Sequence, residues 1–199
     1  MPNYYALLTA DDYSRKTCYT DSGRLGQLQV VQGSPEPPFA GWIARQDMLD
    51  AIGFEGSMVT IDDWTTVLAG LKEAGLGKLY LGSASGQQEF LMTTYGVTNG
   101  FLQKDGAVFY GPVQQGYHDY LAQITAWNEA GYLDPDFISH TAWYSDFSMM
   151  VSGEIAIMPT IYSIYDVIDM MGKGSDPNFA VTAVDVPKLH EGDALMVGN

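Results

Sequence analysis

Four carboxylates in the middle of the chain, Glu89, Glu129, Asp146 and Glu154, are of the type that could do acid–base chemistry. Two of them facing each other across a cleft would serve as the acid and base of glycoside hydrolysis. With 24 Asp and Glu in 199 residues such groupings arise by chance, and most of these side chains read as solvated faces and helix caps. His118, His140 and His190 are far apart and lack the H-E-x-x-H spacing of a metal-binding helix. Asp134-Pro135-Asp136 begins like a calcium loop, but Ser139 stands where the sixth position needs glycine. Cys18 is alone, so no intrachain disulfide and no multi-cysteine zinc site is possible, and its nearest histidine in sequence is His118. Gly82-Ser83-Ala84-Ser85-Gly86 has alanine where a nucleophile elbow needs serine. Gly172-Lys173-Gly174-Ser175 lacks the upstream glycine and the lysine–serine adjacency of a phosphate loop, and Gly75-x-Gly77 lacks the third glycine of a dinucleotide turn. The expectation is a protein without catalysis, metal or cofactor.

The charge balance narrows the partners. Nine Lys and Arg against 24 Asp and Glu give a net charge of −15. A phosphate backbone is held by a basic stripe, so nucleic acid is excluded, and an electrostatic grip on anionic lipid is disfavoured. With 46% apolar and 17% charged residues the chain has the material for a core. No run approaches the ~18 apolar residues of a membrane span. Met1-Pro2-Asn3-Tyr4-Tyr5 has neither the basic nor the apolar region of a secretory leader. The chain is therefore either cytosolic or without its leader.

The elements that would position any site are mixed α and β. Residues 1–40 are weakly patterned, with one short strand expected over 25–31 and a loop at Ser34-Pro35-Glu36-Pro37-Pro38. A short helix is expected over 45–52, stopped by Gly53. Thr60 and Asp63 form a capping signal for a helix whose apolar face is Trp64, Val67, Leu68 and Leu71, which makes Trp64 a core residue. A strand over 78–81 runs into the small-residue loop and a helix over 87–95. Asp105-Gly106 between 101–104 and 107–110 signals a two-residue hairpin. The strongest helix spans 115–130, with Tyr117, Tyr120, Leu121, Ile124 and Trp127 as its stripe and Gly131 as its stop. Then follow a helix over 144–151, a strand over 154–158, a helix over 164–171 and a strand over 179–186.

The order of these signals resembles family 1 of the bacterial extracellular solute-binding proteins, the sugar-binding class of ABC importers, in its lipoprotein branch. Four segments carry the likeness. Residues 42–53, WIARQDMLDAIG, resemble the family's crossing strand and helix, and Val59 to Trp64 resemble its "P-x-T-W-D-E-L" helix start. Tyr117 to Phe137, with WNEAGYLDPD, resembles its long helix and exit. Phe147 to Met158 resembles "F-x-x-G-K-x-G-M", followed by a strand over 179–187 that ends in proline. Gln46, Met48 and Glu154 replace a usual Lys, Trp and Lys.

The resemblance implies a periplasmic-binding-protein-like type II α/β fold: a helix-rich lobe with a short mixed sheet, as a fragment of a two-lobe protein. Residues 1–40 would be a remnant of the N-lobe and the approach to the first crossing. Residues 41–160 would be the C-lobe, and 161–199 a truncated return toward the N-lobe. The implied function is an extracellular, non-catalytic binding component of an ABC importer. It would hold an oligosaccharide or related solute in an interlobe cleft and deliver it to the membrane permease as a monomer. The full-length protein would be lipid-anchored or periplasmic, its leader absent from this chain. Implied ligand contacts are Trp42 at the first crossing; Gln87, Gln88 and Phe90 after the small loop; Trp143 and Tyr144 before the last helix–strand unit; and Tyr162 and Tyr165 after the second crossing, where the family's "G-P-W" tryptophan is missing. Arg45 is read as pairing with a helix-end Asp, the alternative being a ligand carboxylate. The rival class is a glycoside hydrolase using a cleft carboxylate pair; a module that keeps the fold without a ligand is a third reading.

Overall fold

A computed structural model describes residues 40–82, 89–104, 106–136, 139 and 145–194. By its contacts the chain divides into two units, Met1–Pro38 and Phe39–Asn199. The expected strand over 25–31 and Cys18 lie outside the described residues.

Two strands organise the second unit. β1 (Ala40–Arg45) pairs antiparallel with β5 (Ile155–Ile161) from Ala40↔Ile161 to Ala44↔Ile157. β2 (Lys78–Leu79) adds parallel to β5, and β6 (Val181–Val184) adds antiparallel to β1, giving the order β2-β5-β1-β6. From Ile155 to Thr160 every residue of β5 is buried, so the strand needs cover on both faces.

Helices α1 (Gln46–Ala51), α2 (Ile61–Glu73), α3 (Glu89–Met92) and α4 (Gln115–Glu129) precede β5, and two further helices flank it: α5 (Ser145–Ser152) and α6 (Tyr162–Ser175). Trp64, Val67, Leu68 and Leu71 of α2 and Tyr120 and Trp127 of α4 share one core with Trp42, Ala44 and Ile157 of the sheet. Phe147 and Met150 of α5, Ile168 of α6 and Phe179 share the other with Ile43, Ile155 and Met158. The hairpin of β3 (Phe101–Lys104) and β4 (Ala107–Tyr110) forms a second, two-stranded sheet in the expected register.

Local chemistry sets the boundaries. Thr60 Oγ1 accepts from the Asp63 backbone N–H at 3.2 Å, while Asp63 Oδ2 accepts from the Thr60 N–H at 2.8 Å, the reciprocal box expected at the start of α2. These hydrogen bonds from the Thr60 backbone and hydroxyl hold the Asp63 carboxyl below its ordinary range. Three findings depart from the sequence reading. The strand expected to stop at residue 158 continues through Pro159 to Ile161. Ile157 O accepts from the Tyr80 N–H on the β2 side, so Pro159, two residues on, aims its backbone to that same side, past the last paired residue of β2. Leu121, expected in the stripe of α4, is 49% exposed. Tyr120 and Trp127 are about 20° apart around the helix, and Leu121 is about 100° from Tyr120. The last helix is longer than 164–171 and begins directly at Tyr162.

Arg45 closes the end of β1. Its Nε and terminal nitrogen donate to the two oxygens of Asp47 at 2.8 and 2.6 Å, and its other terminal nitrogen donates to Met150 O at 2.8 Å. The guanidinium lies 4.2 Å from the centroid of the Phe179 ring. The pairing with Asp47 is the expected one with a helix-end Asp, and the further contacts tie β1 to α5 and to the segment entering β6. Burial pushes the Asp47 carboxyl up, but the hydrogen bonds and charge of Arg45 outweigh it and hold the carboxyl below its ordinary value.

Two stability predictions follow from these contacts. Thr60→Ala removes a cap and should cost about 1 kcal/mol in urea unfolding. Arg45→Met should cost about 3 kcal/mol, because Asp47 and Met150 O both lose their donor. In wild type the Asp47 contribution is present above the ordinary carboxylate value of 3.8 and is lost as pH falls through its lower folded value. Acid titration of the Arg45→Met variant should lack that loss.

Candidate functional site

The register defines which end of the sheet can carry a site. β5 and β6 both run antiparallel to β1, and β2 runs parallel to β5. The carboxyl ends of β2, β5 and β6 therefore lie beside the amino end of β1. Loops leaving that end are free of the sheet's hydrogen bonding, and open α/β sheets bind ligands outside the carboxyl ends of their strands. Here Leu81 and Gly82 leave β2, Tyr162 follows β5 with no intervening loop, and 185–194 leave β6. Lys188 bridges to Thr60, which brings Leu189 and His190 against the start of α2.

Two hollows adjoin along this segment and share Tyr95 and Leu189. One, of about 510 Å³, is lined by Asp62, Asp119, Gln123 and His190 among others. The other, of about 450 Å³, is lined by Thr93, Gln103, Lys104 and Asp193 among others. Behind them stands a tyrosine stack. Tyr95 meets Tyr120 at 6.0 Å and 67°, and Tyr120 meets Tyr117 at 6.1 Å and 61°. Burial first, then the charge of Asp119 and the neighbouring Tyr120, pushes the Tyr95 phenol far up. Burial, then Tyr117, pushes Tyr120 up to about 12. Both phenols stay protonated near neutrality, so neither is a base; Tyr95 lines both hollows, and Tyr120 is buried behind it. The sequence reading missed this assembly: Tyr117 and Tyr120 were legible as a helix stripe, but Tyr95 and His190 join them only through the fold.

The expected ligand contacts separate into two groups. Trp42 is wholly buried, with its ring edge-to-face on Trp64 at 5.1 Å and 87°, and its indole N–H has no acceptor among the described residues. A stacking platform needs an open ring face, and Trp42 has none; this corrects its assignment as a ligand contact. It points from β1 into the α2 core because it shares the phase of Ala44. Tyr165 packs on the other core and donates its hydroxyl to Val181 O at 2.8 Å, which ties α6 to β6. Tyr162 opens α6 and Phe90 lies in α3, their side chains outside the described residues. Gln87, Gln88, Trp143 and Tyr144 also lie outside them. Of the four candidate carboxylates, Glu129 is exposed on α4, and Glu154 is exposed and accepts from Ser152 Oγ at 2.9 Å. The side chains of Glu89 and Asp146 are outside the described residues. Among the described residues no three His, Cys, Asp or Glu converge as metal ligands.

This fold, a mixed sheet between helical layers, is similar to part of several solved solute-binding proteins. Among solved structures, the alginate-binding protein AlgQ2 superimposes with a TM-score of 0.71 at 15% identity, covering 92% of this chain and 39% of that one. The substrate-binding protein FusA of Streptococcus pneumoniae, solved with kestose, gives 0.66 at 18% identity over 94% of this chain and 40% of that one. An HMO-binding solute-binding protein from Bifidobacterium longum infantis gives 0.69 at 15% identity over 94% and 42%. The chain thus spans about two fifths of the length of these structures. No protein-family model matches the chain, and no curated protein sequence does.

The tyrosine stack makes its own prediction. Tyr120 contributes stability that is full below the ordinary tyrosine value of 10.0 and is lost as pH rises toward about 12. Alkaline titration by tyrosinate absorbance should show a late step that Tyr120→Phe diminishes, leaving the part due to Tyr95; an unchanged late step would refute the assignment.

Proposed function

We propose that this chain is part of the extracellular binding component of an ABC importer, which holds a carbohydrate between two lobes and delivers it to a membrane permease. The observation that carries the reading is the superposition of more than nine tenths of the chain on three binding proteins whose ligands are sugars. In this reading residues 41–160 are the core of one lobe, 1–40 lead into it from the other, and 161–199 return toward it. The whole protein acts as a monomer outside the cytoplasm, held by a lipid anchor or retained in a periplasm. Among the described residues no helix is long and apolar enough to cross a membrane, and delivery rests on docking to a permease.

Ligand contacts are assigned to Gln87, Gln88, Phe90, Trp143, Tyr144 and Tyr162, while Trp42 and Tyr165 are held by the packing described above. A sugar presents C–H faces and hydroxyls, which aromatic rings and amide groups match. The exposed positions of Glu129 and Glu154 do not favour a hydrolase.

Calorimetric titration of the full-length protein with a panel of neutral and acidic oligosaccharides, followed by product analysis, tests the reading. Saturable binding of an unaltered sugar is expected, and Trp143→Ala should weaken it about tenfold through loss of a stacked ring. Cleavage of the sugar, or no binding across the panel, would overturn the proposal.

A further inference from the structure

We infer that Met170 and Met171 form a surface site for reversible oxidation to methionine sulfoxide, set apart from the methionines that build the core. The inference rests on the packing of α6 alone and is independent of what the cleft binds.

The chain contains ten methionines, an unusual load of oxidisable sulfur for 199 residues. Five of the described ones, Met48, Met58, Met92, Met150 and Met158, are buried and belong to the two cores. Met170 and Met171 are 69% and 44% exposed. Their position follows from a single contact. Gly172 is buried against Phe179, and a β-carbon there would overlap the Phe179 ring. Phe179 is itself fixed beneath the Arg45 guanidinium, so α6 cannot rotate about its axis without breaking that contact. With Gly172 and Ile168 held inward, Met170 lies about 200° from Gly172 and Met171 about 100° from it. Met170, the more nearly opposite of the two, is accordingly the more exposed.

The oxidant is a peroxide or another neutral two-electron oxygen donor, which the −15 charge of the chain does not repel. With hydrogen peroxide the thioether sulfur attacks one oxygen, the O–O bond breaks, and that oxygen stays on sulfur. The departing hydroxide takes up a proton and leaves as water; sulfur loses two electrons and the peroxide gains them. A sulfoxide is polar, and on this outward strip it faces water instead of a packed neighbour. At Met150 or Met158 the same change would place a polar S=O in the core, and oxidation there must await local opening. The outer pair can therefore take up oxidant without loss of the fold, and methionine sulfoxide reductases can restore it.

The test is substoichiometric hydrogen peroxide on the full chain with Cys18 alkylated beforehand, followed by cleavage on the amino side of aspartate. That cleavage releases residues 169–175 as one peptide carrying both sulfurs. This peptide should gain one oxygen and then two at least about tenfold faster than the peptides holding the five buried methionines. The Tm should stay unchanged as those two oxygens are added, and a sulfoxide reductase should remove them. The M170L/M171L variant should keep its Tm and lose the fast uptake. Buried methionines that keep pace, an unmodified 169–175 peptide, or a Tm that falls with the first oxygen would each overturn the inference.

Discussion

A strand whose two faces are both dry dictates most of this lobe. From Ile155 to Thr160, β5 has no surface to give to water, and its partner β1 is buried from Gly41 to Arg45. Such a pair can only exist between two layers, and helices supply both: α2 and α4 on one side, α5 and α6 on the other. The same dryness explains the treatment of Arg45. A cation at the end of a buried strand must have its donors satisfied, and Asp47, Met150 O and the Phe179 ring together do so. The residues doing this come from α1, α5 and the segment entering β6, so satisfying one charge also fixes their relative positions.

The sheet is held between its helical layers. The carboxyl ends of β2, β5 and β6 lie at one end of it, beside the amino end of β1. Trp42 and Tyr165 each have a fixed partner. One is locked on Trp64 and the other holds Val181, so their conformations are set by packing.

How much of this the sequence revealed depended on how local the cause was. The Thr60–Asp63 box, the Asp105-Gly106 hairpin and the stop at Gly131 are decided within a few residues, and each appears in the structure. The pairing of Arg45 with a helix-end Asp was legible because Asp47 is two residues away. Its contacts with Met150 and Phe179 join residues more than a hundred positions apart, and no local pattern encodes them. Trp42 misled for a related reason: its residue type suits a sugar platform, but strand phase turned it inward. The strand expected to end at residue 158 runs on through Pro159, because the neighbouring strand has already stopped on that side. The architecture itself was readable from the order of weak motifs, which survives where no single motif is decisive.

The β3–β4 hairpin differs in kind from everything else. Its strands are exposed on both faces except at Leu102, and Phe101, at 76%, is the most exposed large apolar residue described. Its root is clamped where the Gly111 N–H donates to Gly100 O at 2.7 Å and Gly111 has no room for a side chain against the Thr98 carbonyl. It shares no ladder with the four-stranded sheet, and Gln103 and Lys104 face the hollow beside Leu189 and Asp193. Extra residues inserted at the tip would cost only the slowly growing entropy of a longer loop. The hairpin is therefore a natural handle, the place where this lobe can be tagged, tethered or lengthened while the dry strands behind it remain undisturbed.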